Sequence, residues 1–103
     1  MALVKRAELQ TTAHIFVCVN QRRASDPLGE GCGARGEAVH AAVRSALGRG
    51  RLFGRVWLAR SYCLGVCPKV GATAVVAPRG EVRTEVVEAD ADALIALALA
   101  GDR

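Results

Sequence analysis

Four cysteines are the residues of this chain most able to do chemistry, and their spacing is Cys18-x13-Cys32-x30-Cys63-x3-Cys67. Such a set can hold an iron-sulfur cluster, hold zinc, or close two disulfides. In Cys63-Leu64-Gly65-Val66-Cys67, followed by Pro68 and Gly71, both sulfurs can turn towards one centre only if the backbone loops around it. This stretch therefore reads as a ligand loop rather than a helix or a strand. Structural zinc sites usually offer two short Cys-x2-4-Cys knuckles, each wrapping one face of a small tetrahedral ion, and only one half of this pattern is short. A thioredoxin-type dithiol requires Cys-x-x-Cys at a helix start, which is absent. A two-iron cluster is elongated and takes two thiolates on each metal from separated segments, so one long-gapped and one short-gapped pair satisfy it.

A cluster held by four thiolates is dianionic and becomes more negative on reduction, so it needs backbone N–H donors close to its sulfurs. Gly29, Gly31, Gly33, Gly65 and Gly71 flank the cysteines and permit that approach. A helix starting just after Cys32 would aim its N-terminal amides at the same place. Gly31-Cys32-Gly33-Ala34-Arg35-Gly36 also matches G-x-G-x-x-G, but a dinucleotide fingerprint follows its strand immediately. Here a loop of about a dozen residues intervenes, so nucleotide binding is not expected.

The elements that must position the cysteines follow from periodicity. His14 to Val19 is nearly continuously apolar, which predicts a strand covered on both faces and ending at Cys18. Asn20 to Gly31 carries Asp26, Pro27, Gly29 and Gly31 and reads as a loop. Ala38, Val39, Ala42, Val43, Ala46 and Leu47 recur at helical spacing, with the stop near Gly48 or Gly50. His40 lies at the margin of that stripe and is expected at the boundary or the surface, without a role. Arg55 to Tyr62 predicts a second strand that delivers Cys63. Strand, helix, strand implies a right-handed parallel crossover, which brings Cys18 and Cys63 to one edge of the sheet. Thr73–Ala77 and Glu81–Val87 about the turn Pro78-Arg79-Gly80 predict a hairpin. Ala91, Leu94, Ile95, Ala98 and Leu99 predict a last helix, with Asp90 and Asp92 at its positive end and Gly101 as its stop. The fold class is α/β: two layers, a mixed four-stranded sheet with two main helices and a cysteine-bearing loop, in the element order of thioredoxin-like folds. Residues 1–103 form one domain, with residues 1–12 a loose N-terminal arm.

The charge is uneven. Residues 1–60 carry ten Lys/Arg against four Asp/Glu, and residues 61–103 carry four against six. No aromatic-rich ribonucleoprotein motif and no tight Lys/Arg run accompanies the basic half, so nucleic acid is not an expected partner. The longest apolar run, Ala93–Ala100, falls well short of the roughly 20 residues of a membrane span, and the N-terminus turns charged before a signal peptide could develop. The expected location is the cytoplasm, where cysteines serve as metal ligands or redox groups more often than in disulfides.

His14-Ile15-Phe16-Val17-Cys18-Val19-Asn20, Cys32-Gly33-Ala34-Arg35-Gly36, Cys63-Leu64-Gly65-Val66-Cys67 and the turn Pro78-Arg79-Gly80 together resemble the thioredoxin-like, or Shethna-type, [2Fe-2S] ferredoxins. The resemblance runs from about residue 14 to about residue 100. It implies a non-enzymatic one-electron carrier, usually a homodimer, with one [2Fe-2S] cluster per chain on Cys18, Cys32, Cys63 and Cys67. The redox partners would be a reductase and an acceptor protein. Pro68-Lys69-Val70-Gly71-Ala72 and Glu81-Val82-Arg83 depart from the family pattern, which has Gly-Pro after the last cysteine and an aromatic pair after the hairpin turn. The basic charge also departs from the acidity common among ferredoxins. Arg22, Arg23, Arg35 and Lys69 flank the ligands in sequence, and positive charge there would favour the reduced cluster. Two other readings stay open on the residues alone: a zinc-stabilised or diverged interaction module, and a cluster-based redox sensor.

Overall fold

The structure is a computed structural model, and it describes residues 1–3, 11–23, 25–27, 29–62 and 68–101. The elements are β1 (Ala13–Cys18), α1 (Gly33–Arg49), β2 (Val56–Ser61), β3 (Ala72–Ala77), β4 (Glu81–Val86) and α2 (Ala91–Gly101), with a short 3-10 turn at Glu88–Asp90. The sheet order is β2-β1-β3-β4. β1 and β2 run parallel in a register that sets Cys18 opposite Ser61. β3 is antiparallel to both β1 and β4. Each element lies within a residue or two of its expected bounds.

Both helices pack on one face of the sheet. Val39, Val43, Ala46 and Leu47 of α1 and Leu94, Ile95 and Ala98 of α2 are buried against Ala13, Ile15, Val17, Val56, Ala74 and Val76. The expectation that β1 is covered on both faces is therefore corrected. Its burial alternates, and His14 and Phe16 on the other face are only half-buried. The apolar run is near-continuous because those two rings stack on each other, with centroids 5.9 Å apart, rather than under a third layer. The register places Trp57 beside His14 on this face and Val82 beyond Val75. Trp57 is 57% exposed and Val82 48%.

Several turns show how local sequence closes the fold. The Asp90 carboxylate accepts the Val87 N–H at 2.9 Å, and the Asp90 N–H returns to the Val87 carbonyl at 2.9 Å. Asp90 thus caps the 3-10 turn, and Asp92 alone of the two lies in the first turn of α2. Between Ala72 and Ala74 the β3–β4 register shifts, with three steps on β4 against two on β3. This is a β-bulge, and its kink carries Glu85 to φ 56°. Of the arm at residues 1–12, residues 4–10 lie outside the described residues. Thr11 and Thr12 are tied down, donating to the carbonyls of Gly54 at 3.1 Å and Arg55 at 3.3 Å.

His40 is a second correction: it is buried, at 5% exposure. One turn before Arg44 on α1, it lies under Val56, Leu58 and Arg60 of β2. Desolvation holds its proton affinity below the ordinary histidine value of 6.5, with Arg60 and Arg44 pushing the same way and Glu37 opposing them. The unfolded chain therefore binds more protons than the folded chain below that value, and stability falls as pH falls. The urea midpoint is expected to drop between about pH 7.5 and about pH 5.5, and His40→Gln should flatten that slope. An NMR titration placing His40 above 6.5 would reverse the sign.

Candidate iron-sulfur centre

Cys18 is the last residue of β1, and Cys32 immediately precedes α1. Both are buried, at 0% and 1% exposure, and no disulfide joins them. Their burial follows from close backbone contact. The Gly36 Cα faces the end of β1 so closely that a Cβ would fall 1.8 Å from the Cys18 carbonyl oxygen and 2.9 Å from its carbon. The first turn of α1 thus lies directly on Cys18, and Cys32 sits one turn away from that contact. Val19 N–H donates to the Ser61 carbonyl at 2.8 Å, carrying the β1–β2 pairing one residue past Cys18.

The loop from Asn20 to Gly31 is closed at its neck. Arg22 N–H donates to the Glu30 carbonyl at 2.7 Å, and Gly33 N–H donates to the Asn20 carbonyl at 3.0 Å. This neck requires glycine at 31, where φ is +82° and a Cβ would meet the Asn20 oxygen at 2.2 Å. Of the N-terminal α1 amides expected to point at a bound group, that of Gly33 is spent on Asn20.

Cys63 and Cys67, with the ligand loop expected between them, lie outside the described residues, as does Gly65. Both flanks of the loop are described. β2 ends at Ser61, opposite Cys18. The chain resumes at Pro68 and Lys69, whose carbonyls both accept from Arg35. One guanidinium nitrogen, Nη2, donates to the Gly31 carbonyl at 2.8 Å and to the Pro68 carbonyl at 3.0 Å. Gly31 precedes Cys32 and Pro68 follows Cys67 in the sequence, so one nitrogen draws together the neighbours of one cysteine from each pair. A cleft of about 360 Å³ opens there, lined by Pro27, Gly29, Glu30, Arg35, Pro68 and Lys69.

The four flanking cations have different roles. Arg35 is half-buried and clamps the two loops. Arg22 is half-buried, with its Nη1 3.6 Å from where a Gly31 Cβ would stand. Arg23 and Lys69 are exposed. Among the described residues no group of three or more His, Cys, Asp or Glu side chains could hold a metal. The donor set that fits an iron-sulfur group there is two buried thiols, and thiolate sulfur is the usual ligand of such clusters.

The same fold occurs in solved structures. The wild-type thioredoxin-like [2Fe-2S] ferredoxin from Aquifex aeolicus matches with TM-score 0.73 and 28% identity over 86% of each chain. The chain is similar to the thioredoxin-like [2Fe-2S] ferredoxins. A cysteine-to-serine variant of that ferredoxin matches with TM-score 0.73 and 27% identity, over 88% of this chain and 90% of the other. A further structure of a thioredoxin-like [2Fe-2S] ferredoxin from the same organism gives TM-score 0.72 and 28% identity, over 86% of this chain and 81% of the other. No family model and no curated protein matches the chain. The structural neighbours are iron-sulfur proteins of this fold, and no helix among the described residues is long and apolar enough to cross a membrane.

Sequence reasoning singled out Arg35 for its charge and overlooked its bonds, because carbonyl partners 33 and 34 residues away leave no sequence signal. It also missed Gly36. The signal was present as the last glycine of Gly31-x-Gly33-x-x-Gly36, a position that allows close helix–strand packing whether or not a nucleotide is bound.

Proposed function

We propose that this protein is a one-electron carrier with one [2Fe-2S] cluster per chain, ligated by Cys18, Cys32, Cys63 and Cys67. The observation that supports this reading best is the convergence of buried Cys18, buried Cys32 and both flanks of the Cys63–Cys67 segment at one end of the sheet, in a fold shared with [2Fe-2S] ferredoxins. When bound, the cluster supplies a one-electron couple. The chain's own residues hold the thiols out of water, and Arg35 locks the two ligand-bearing loops. The protein acts in the cytoplasm as a homodimer between a reductase and an acceptor, without catalysing a reaction itself. Arg22, Arg23, Arg35 and Lys69 add positive charge around the site, which favours the reduced form.

The test is analytical. Purified anaerobically, the protein should be red-brown, with about two irons and about two acid-labile sulfides per chain, and dithionite reduction should give one rhombic EPR signal. Cys32→Ala should lose most of that iron. A colourless protein carrying zinc would overturn the reading in favour of a structural metal module.

A further inference from the structure

The β2 border of the sheet carries a second feature that the cysteine site does not use. Among the described residues, β2 has a strand neighbour on one side only. Along its edge runs a groove of about 230 Å³ lined by His40 and Arg44 of α1 and by Phe53, Trp57, Leu58 and Arg60. Its aromatic walls are unusually open for a chain with so few aromatics: Trp57 is 57% exposed and Phe53 51%. Its charge is cationic. Arg60 pairs with Glu37 at 2.8 Å, and Glu37 is the acidic residue that acts on His40. Arg44 has no ion-pair partner among the described residues. Two guanidinium groups therefore border the groove, and one carboxylate pairs with Arg60. Residues 1–60, which include both elements that line the groove, carry ten Lys/Arg against four Asp/Glu.

The groove lies beside the cysteine site. Arg60 pairs in register with Val17, the residue before Cys18. Trp57 lies four positions from Ser61, about 13 Å along the strand. A protein seated on this groove would flank the end of the sheet that holds Cys18.

We propose that the Trp57–Arg44–Arg60 groove is the docking surface for an acidic face of a redox-partner protein, whose carboxylates meet Arg44 and Arg60 while an apolar side chain covers Trp57. The proposal rests on the electron-carrier reading for the partner's redox role. Charge complementarity decides the occupant. Uncompensated arginine favours carboxylates, and exposed aromatic surface next to arginine is the composition that anchors protein interfaces. A second copy of this chain would bring the same surplus of positive charge to the groove and be repelled.

Trp57 is the single tryptophan of the chain, so its emission reports on this groove, whereas the visible spectrum reports independently on the cluster. The holoprotein would be titrated with a blocked hexaglutamate peptide, blocked hexalysine and inorganic phosphate, each at low and at raised salt. Hexaglutamate should change Trp57 emission saturably and hexalysine should not. The apparent Kd should rise about tenfold between roughly 20 mM and 200 mM salt. Arg44→Glu should weaken binding at least as much, with the visible spectrum intact, and Arg79→Glu in the distant hairpin turn should leave it unchanged. The proposal is overturned if hexaglutamate does not bind, if Arg44→Glu binds it as well as wild type does, or if phosphate binds as tightly, which would make the groove a small-anion site. Concentration-dependent Trp57 emission without peptide would assign the groove to a second copy and also overturn it. A protein that binds hexaglutamate as described but lacks iron would keep the surface and remove the electron-carrier reading.

Discussion

Gly36→Ala is expected to destabilise the folded protein by about 3 kcal/mol or more and to strip the site of most of its iron. The usual effect of this substitution inside a helix has the opposite sign, because alanine is about 1 kcal/mol better than glycine there. Here the new Cβ would stand 1.8 Å from the Cys18 carbonyl oxygen and 3.2 Å from the Val19 Cα. Both are backbone atoms of the central β1 register and its extension, so neither can rotate away as a side-chain end could. The helix must lift, and lifting it moves Cys32 away from Cys18. A shift of about 3 kcal/mol changes the folded-to-unfolded ratio by roughly a hundredfold. Urea denaturation of the iron-free and iron-loaded variants, with iron counted per chain, checks both parts. An unchanged or raised midpoint would show that α1 does not rest on Cys18 as described.

The second large effect is expected at Arg35. Its guanidinium serves the carbonyls of Gly31, Pro68 and Lys69 together. Hydrogen bonds to a charged donor contribute about 1.5–3 kcal/mol each when dry, and less in a half-exposed setting where water can replace them. Arg35→Ala should therefore loosen the two loops by about 1–3 kcal/mol in total, and iron release to a chelator should accelerate about tenfold for each 1.4 kcal/mol lost. Arg35→Lys should recover only part of the difference, because a point-like ammonium on a flexible stem cannot span three acceptors as a planar fork does. Lys69→Glu separates the clamp from the charge. It keeps the backbone carbonyl that Arg35 uses, so iron release should stay slow, while the added negative charge lowers the reduction potential in film voltammetry. If Arg35→Ala released iron no faster than wild type, the clamp would have no part in holding the site.

The Arg44 groove and the Arg35 clamp divide the basic half of the chain into two kinds of work. Arg35 is fixed by backbone acceptors within the protein, whereas Arg44 is left facing outward. Composition alone records both as surplus positive charge, and only their surroundings separate them.

The element order and the place of Cys18 at the end of a central strand were legible in the sequence, because both follow from short-range rules. An apolar run bounded by turn residues, a helical stripe after Cys32, and the handedness of a parallel crossover suffice to place Cys18 at the end of β1 beside Ser61. The hairpin was legible for the same reason, since Pro78-Arg79-Gly80 is a local signal. Three features were decided only by tertiary structure. His40 reads as a boundary residue on its helix, and it is buried because β2 happens to cover that side of α1. Strand β1 reads as covered on both faces, yet among the described residues only one face is packed, because both helices lie on the same side of the sheet. Arg35 and Gly36 derive their importance from atoms far away in the chain: the carbonyls of Pro68 and Lys69, and the backbone of Cys18. Periodicity and spacing constrain what lies within a few residues. Contacts across dozens of residues depend on how the layers settle against one another, and no local pattern encodes that distance.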